Sequence, residues 1–155
     1  MPASPPADGT AARLPKFLCF AIYSANLAFG RAYKPLLDPL GLTYTQYIAL
    51  VALADADDQT VGELGEKLFL ESNTLTPILK KLEATGYIRR QRDPADERQV
   101  RISLTPAGRR LVDMEPAAAL RDATGLGDEF ATMQQATAYL RDNLLRATRA
   151  GALEG

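Results

Sequence analysis

The sequence predicts a mainly α-helical fold with a small β-wing: a winged helix-turn-helix domain between additional N- and C-terminal helices. Three observations carry this. Apolar residues recur at helical spacing along most of the chain. Two short helical patterns, Val61 to Phe69 and Ser72 to Thr85, are separated by only a tight turn. Two extended basic runs come directly after them, divided by the polar turn Asp93-Pro94-Ala95-Asp96-Glu97.

Taken in order, residues 1–12 are rich in Pro, Ala and Ser and lack a basic stretch ahead of an apolar one. They predict a flexible tail and not a signal peptide, which leaves 13–155 as one domain. Leu14, Phe17, Leu18, Ala21, Ile22, Ala25 and Phe29 predict a helix from about Leu14 to Ala32. Pro35 suits the first turn of a short second helix ending near Leu40–Gly41. Tyr44, Tyr47, Ile48, Leu50, Val51 and Leu53, after Thr43, form a third, which the acidic stretch Ala54 to Gln59 ends.

Thr60 with Glu63 reads as a capping box, and Val61, Leu64 and Leu68 give the next helix one apolar face. Leu75, Ile78, Leu79 and Leu82 are the buried stripe of the helix after it. Ser72 is its candidate cap, Gly86 lies just past its end, and Pro77 is assigned to its first turns, where a missing N–H is tolerated. In the hairpin, Val100, Ile102 and Leu104 alternate with Gln99, Arg101 and Ser103, so one face packs and the other meets solvent. The winged helix-turn-helix thus occupies about 43–105.

Thr105-Pro106 opens another helix through about Ala119, and Gly125 and Gly127 interrupt the chain before the last helix. That last helix, Asp128 to about Arg149, carries Phe130, Met133, Thr137, Leu140 and Leu144 as one stripe. No partner for the stripe is evident inside a small winged domain. The helices at about 14–40 and 106–150 are therefore read as dimerisation helices that pair with a second copy, with packing inside one chain as the alternative.

Composition narrows the function. With 46% hydrophobic and 24% charged residues the 155-residue chain is an ordinary globular one. No apolar run reaches the ~20 residues of a membrane span, so a cytoplasmic protein is expected. There is no His and one Cys, which removes ordinary zinc and haem ligand sets and any Ser-His or Cys-His nucleophile pair. No metal, cofactor or enzymatic activity is expected. The net charge is −1, yet Lys80 to Arg110 holds nine basic and four acidic residues, leaving the remainder acidic. A local basic patch of this kind is what phosphate binding needs, although a solvated basic face gives the same signal.

The DNA-binding candidates come from the fold. A helix entering the major groove exposes short polar and basic side chains opposite its apolar stripe; Ser72, Asn73, Thr74, Thr76, Lys80 and Lys81 fit. Ser72 serves equally well as a cap. In the wing, Asp96 and Glu97 precede Arg98, and a carboxylate can hold its guanidinium as a bidentate pair while the head reaches a minor groove. Arg89, Arg90, Arg92 and Arg101 are assigned to phosphates.

The run Asp93-Pro94-Ala95-Asp96-Glu97-Arg98 through Leu104-Thr105-Pro106-Ala107-Gly108 resembles the wing signature of MarR-family repressors, over about Leu14 to Leu145. Phe17-Leu18-Cys19-Phe20-Ala21-Ile22-Tyr23-Ser24, Tyr33-Lys34-Pro35-Leu36-Leu37-Asp38, Leu42-Thr43-Tyr44-Thr45-Gln46-Tyr47 and Leu70 to Leu82 are similar to the OhrR branch, the organic-hydroperoxide sensors. The resemblance implies a homodimer on a pseudo-palindromic operator in double-stranded DNA. It also implies a reactive cysteine, Cys19, hydrogen-bonded by Tyr33 and Tyr44 of the partner subunit; Tyr23, one helical turn on, is a further candidate to line that pocket. Placement about one turn into a helix, near free amide donors and the positive dipole end, agrees with an anionic sulfur. For a lone cysteine taken without the resemblance, a small buried core residue is the commoner fate.

Many members of that branch carry a second, resolving cysteine near positions 121–124; here Arg121 to Thr124 contain none. Oxidised Cys19 would then proceed through a low-molecular-weight thiol, a sulfenamide or overoxidation. Two rivals stand beside this reading. One is a MarR-type repressor released by a phenolic or other apolar ligand, with Cys19 inert. The other is a thiol peroxidase, which needs an outside thiol for turnover.

Overall fold

The computed structural model describes residues 12–154; most of the tail expected at 1–12 lies outside them. The chain divides into two compact units, one through Val112 and one from Asp113 onward. The first holds α1 (Leu18–Leu37), α2 (Tyr44–Asp55), β1 (Gln59–Thr60), α3 (Val61–Leu68), α4 (Ser72–Ala84), β2 (Ile88–Arg92), β3 (Val100–Leu104) and α5 (Pro106–Asp113, whose last residue crosses the boundary). The second holds α6 (Leu120–Ala123) and α7 (Phe130–Arg149).

The core of the first unit is built mainly of leucines from α2, α3 and α4. Leu50, Leu53, Leu64, Leu75, Leu79, Leu82 and Ile102 are fully buried, with Leu37, Leu42, Tyr47, Ile88 and Leu111 nearly so. These are the apolar stripes of α2, α3 and α4 closing on the inner face of the hairpin. At about 1.5–3 kcal/mol for each fully buried leucine, the stripes outweigh the local irregularities of the helices that carry them.

Several element boundaries differ from expectation, each for a local reason. A 3-10 turn covers Leu14–Lys16, Phe17 is extended (φ −77°, ψ 118°), and α1 begins only at Leu18. It then runs through Pro35 to Leu37, so the short second helix expected from Pro35 is the last turn of α1 followed by a 3-10 turn at Asp38–Leu40. That proline removes a single N–H close to the helix end, where little of the ladder is left to break. Pro77 is the sixth residue of α4, beyond its first turn. The cost of the lost N–H is borne by a helix whose Leu75, Leu79 and Leu82 are all fully buried. Glu71 and not Ser72 is the N-cap of α4, without a side-chain bond.

The capping box at Thr60 and Glu63 forms as expected, with both reciprocal bonds, at 3.1 and 2.9 Å. A second one orients α2: the Gln46 N–H donates to Thr43 Oγ1 and the Thr43 N–H to Gln46 Oε1. The stretch 54–59, expected as loop, hides a third strand. β1 pairs antiparallel with β3, Gln59 opposite Ile102 and Thr60 opposite Arg101, giving the order β1-β3-β2. Two residues are too short for alternation to be visible in the sequence. The hairpin register sets Ile88 opposite Leu104, Arg90 opposite Ile102 and Arg92 opposite Val100.

Thr105 opens α5, its Oγ1 accepting from the Gly108 N–H and donating to Gly86 O. This helix stops at Asp113 instead of near Ala119; Glu115 turns to left-handed backbone (φ +46°) and Pro116 has no N–H to extend a helix. In the second unit α7 covers the range predicted for the last helix and buries none of its residues, leaving Met133, Tyr139 and Leu144 exposed. Arg121 stacks over Phe130 at 4.7 Å from the ring centre.

Candidate nucleic-acid interface and thiol site

The turn between α3 and α4 is closed by two features. Phe69 takes a left-handed conformation (φ +57°), and the Leu70 N–H donates to Gly65 O at 2.9 Å. The turn aims the first residues of α4 away from the core. Ser72, Asn73 and Thr74 are exposed there, and Lys80 and Lys81 are exposed further along. Thr76 is half-buried and its hydroxyl donates to Ser72 O at 2.7 Å, so only its acceptor side is open. Five of the six predicted positions on α4 are thus exposed, while Leu75, Leu79 and Leu82 of the same helix are buried.

The wing sorts the arginines. Arg98 stands at its tip, 91% exposed, with its Nε 3.2 Å from Asp96 Oδ1. That same oxygen also accepts the Arg98 backbone N–H at 3.1 Å, so the expected bidentate pair is a single side-chain bond. Arg90 departs from expectation. Strand alternation places it on the face of Ile88 and Ile102, its side chain is four-fifths buried, and Glu83 binds both its backbone N–H (3.1 Å) and its guanidinium (3.7 Å). It ties the hairpin to α4 and is not free for phosphate.

Arg101 is likewise committed. Nε donates to Asp58 Oδ1 at 3.0 Å, Nη2 to Asp58 O at 2.8 Å and Nη1 to Asp93 Oδ2 at 3.3 Å. Arg89 and Arg92 remain exposed, the latter donating to Glu97 O. The Ala95 backbone N–H, aided by Arg101, holds the Asp93 carboxyl below its ordinary value against the opposing pull of burial. Asp58 carried no sequence signal beyond an acidic loop, yet it is Arg101's principal partner.

Cys19 is the second residue of α1, nearer the helix start than expected, and its residue is exposed in the chain. Within one chain it is not a core residue. Tyr23, one turn on, is also exposed. Tyr33 lies fourteen residues further along the same helix. At about 1.5 Å per residue it is about 21 Å away, far beyond a hydrogen bond. Tyr33 instead meets α2: its ring centre is 4.6 Å from that of Tyr44 and 5.9 Å from that of Tyr47. Burial raises both the Tyr33 and Tyr44 phenols, and for Tyr33 the neighbouring Tyr44 and Tyr47 add to it. Both therefore stay protonated, as hydrogen-bond donors, at neutral pH. Beside them is a cavity of about 210 Å³ lined by Lys34, Asp38, Leu42, Thr43 and Tyr44, among others.

A helix with an exposed polar face closed by a tight turn, with a three-stranded wing whose tip carries an exposed arginine, defines a winged-helix transcriptional regulator. Residues 31–114 match the family model of the transcriptional regulator SarA/Rot. The HTH-type transcriptional regulator TtmR of Methylorubrum extorquens (strain PA1) is 48% identical over 141 residues, 88% of this chain and 71% of that protein. The organic hydroperoxide resistance transcriptional regulator of Bacillus subtilis (strain 168) is 48% identical over 96 residues, 62% of this chain and 65% of that one. Reduced AbfR bound to DNA, a Staphylococcus epidermidis protein, superposes with a TM-score of 0.71 and 32% identity over 85% of this chain and 95% of that one. The chain belongs to the SarA/Rot family of MarR-type transcriptional regulators.

Proposed function

We propose that this protein is a dimeric DNA-binding repressor that leaves its operator when an organic hydroperoxide oxidises Cys19. The observation that carries the sensing half is the exposed Cys19 in the first turn of α1, in a chain similar to an organic hydroperoxide resistance regulator. AbfR structures in overoxidized and disulfide-formed states support redox chemistry in this family. The DNA half rests on the exposed polar face of α4 and on the exposed Arg98 at the wing tip, with α4 in the major groove and the wing in the minor groove.

The dimer is argued from what one chain leaves uncovered. Leu14, Phe17, Leu18, Ile22, Tyr23, Leu27 and Phe29, all in or beside α1, are exposed, as are Met133, Tyr139 and Leu144 of α7. Two α1 helices crossing antiparallel about Asn26 would cover that stripe. Cys19 and Tyr33 are each seven residues from Asn26, about two helical turns, so this crossing lays Cys19 against the partner subunit's Tyr33. The partner subunit's Tyr44 would accompany it, and two neutral phenols would donate to the sulfur.

In the reaction, the thiolate sulfur attacks one oxygen of the hydroperoxide and the O–O bond breaks. The departing alkoxide takes a proton to leave as an alcohol, and the sulfur remains as sulfenic acid, two electrons oxidised. A low-molecular-weight thiol can then condense with it, forming a mixed disulfide and releasing water. The phenols lose the anion they held. Because Tyr33 packs on α2, and α2 packs on α3, α4 and β3, its displacement changes the spacing of the two reading heads.

A second reading has a specific observation behind it: the 210 Å³ cavity beside Tyr44 offers a place for a phenolic or apolar effector, with Cys19 inert. One titration separates them. Reduced protein and its Cys19→Ser variant are bound to a duplex selected from a random library, with and without an organic hydroperoxide, and Cys19 is followed by mass spectrometry. Release of the wild type with a mass gain at Cys19, and retention by the variant, is expected. Release that persists in Cys19→Ser would refute the thiol switch.

A further inference from the structure

We propose that the Asp57–Asp58 turn and Arg101 form a clamp that sets the angle of the wing, making Arg101 a positioning residue and not a phosphate contact; this rests on the DNA-binding reading. Two adjacent carboxylates fasten both ends of β3. Asp58 binds Arg101, the second residue of the strand, through Oδ1 at 3.0 Å and through its carbonyl at 2.8 Å. Asp57 Oδ1 accepts the N–H of Leu104, the last residue, at 2.9 Å, while Oδ2 accepts Arg109 Nη2 of α5 at 3.2 Å. The third arm of the Arg101 fork reaches Asp93 at 3.3 Å, and Asp93 Oδ1 holds the turn by accepting the Ala95 N–H at 2.9 Å.

The clamp therefore runs from the end of α2 to the turn that carries Asp96 and Arg98. Its chemistry argues against a role on DNA. The guanidinium is shared between two carboxylates, so the group as a whole is anionic and would repel a phosphate. Its backbone is specialised as well: Asp58 is in the left-handed region (φ +55°), where Asp and Asn are tolerated and most residues are not. The neighbouring β1 is only two residues long and pairs with β3 at Ile102 and Arg101. Arg90, bound to Glu83, fixes the base of the hairpin to α4; the clamp fixes the turn end, and without it Arg98 at the tip would sweep over several positions.

The test exploits an opposite sign. Asp58→Asn keeps the left-handed backbone and removes a negative charge from the DNA-facing unit, so electrostatics alone predict tighter binding. The clamp predicts weaker binding, by about threefold to tenfold at fixed salt, as a charge-assisted bond becomes a neutral one. Binding of the full-length chain to the selected duplex is measured for wild type, Asp58→Asn, Arg101→Lys and Arg101→Ala. Arg101→Lys is expected to fail like Arg101→Ala, because an ammonium cannot span Asp58 and Asp93 as a fork. In an Arg98→Ala background, Asp58→Asn is expected to add no further loss.

If Asp58→Asn lowers the unfolding midpoint, Asp93→Asn, which loosens the same fork from the hairpin side, is expected to reproduce the weaker binding in a folded chain. Unchanged or tighter binding by the folded carboxamide variants, or full activity of Arg101→Lys, overturns the clamp. A reduced wild type that selects no duplex sinks the DNA-binding reading itself, and the clamp with it.

Discussion

Gly65 gives a stringent check on how the helix-turn-helix is closed. It is buried in α3, and a Cβ placed on it would lie 2.7 Å from Leu70 O, a backbone atom. Carbon and oxygen keep about 3.2 Å or more, so the turn would have to open by roughly half an ångström, against the Leu70 N–H bond to Gly65 O. Overpacking of this kind costs about 1–3 kcal/mol. Strain on the hydrogen bond adds up to about 1 kcal/mol. The helix-propensity gain of Gly→Ala offsets about 0.5–1 kcal/mol of that. Gly65→Ala is therefore expected to destabilise by about 1–3 kcal/mol.

Gly62 is the matched control. It lies on the same helix but is exposed, and its added Cβ would meet nothing nearer than Thr60 Oγ1 at 3.9 Å. Gly62→Ala is expected to be neutral or stabilising, by up to about 1 kcal/mol. For a chain of this size each kcal/mol moves Tm by about 2–4 °C, so the two variants should differ by on the order of 10 °C. Thermal unfolding by circular dichroism at one protein concentration measures this, the fixed concentration being needed for a dimer. Equal Tm values for the two variants would refute the close-approach argument. A folded Gly65→Ala should also bind DNA more weakly, since the turn that opens is the one that aims α4.

Arg98→Ala is expected to leave Tm unchanged, because a 91% exposed side chain with one ion pair contributes almost nothing to folding. Operator affinity should fall by about 1–3 kcal/mol, read by fluorescence anisotropy at fixed salt; undiminished affinity counts against wing insertion. A pH dependence arises from Asp93, whose carboxyl the Ala95 N–H and Arg101 hold below its ordinary value. A lowered pKa contributes stability that is present above the unfolded-state value, about pH 4, and lost as pH falls through the lower folded value. The stability difference between wild type and Asp93→Asn should thus be constant above about pH 5 and shrink below pH 4. A difference that does not change with acidification would remove the charged form of Asp93 from the account.

How much of this was legible in the residues depends on the range of the interaction. Spacing alone placed α2, α3, α4 and the hairpin, because an apolar stripe and its helix share one period, and Leu64, Leu75, Leu79 and Leu82 all proved fully buried. Capping at Thr60 was equally plain, being a contact across three residues. The two prolines misled: Pro35 and Pro77 signal helix starts locally, but Pro35 lies too near the end of α1 to break much of its ladder, and burial of Leu75, Leu79 and Leu82 outweighs the bond lost at Pro77. The polar positions of α4 and the wing-tip Arg98 were readable from type and order.

What the arginines do was not readable, since one dipeptide step decides a strand face and distant partners decide a charge. Arg89, Arg90, Arg92 and Arg101 look alike in sequence. Only the register with Ile88 and Ile102 turns Arg90 inward onto Glu83. Only the folding of Asp58, 43 positions away, beside β3 takes Arg101 from the phosphate set into the wing's support. The same holds for Cys19. Its place in the first helix is local and comes from the sequence, whereas its position at the very start of α1, and its distance from Tyr33 of its own chain, follow from one continuous helix that runs from Leu18 to Leu37. By itself, then, the sequence determined the winged helix-turn-helix and the candidates to meet DNA, because periodicity and capping act within a few positions. The tertiary structure decided which charges are free to do so, because a charge is neutralised by whatever the fold brings beside it.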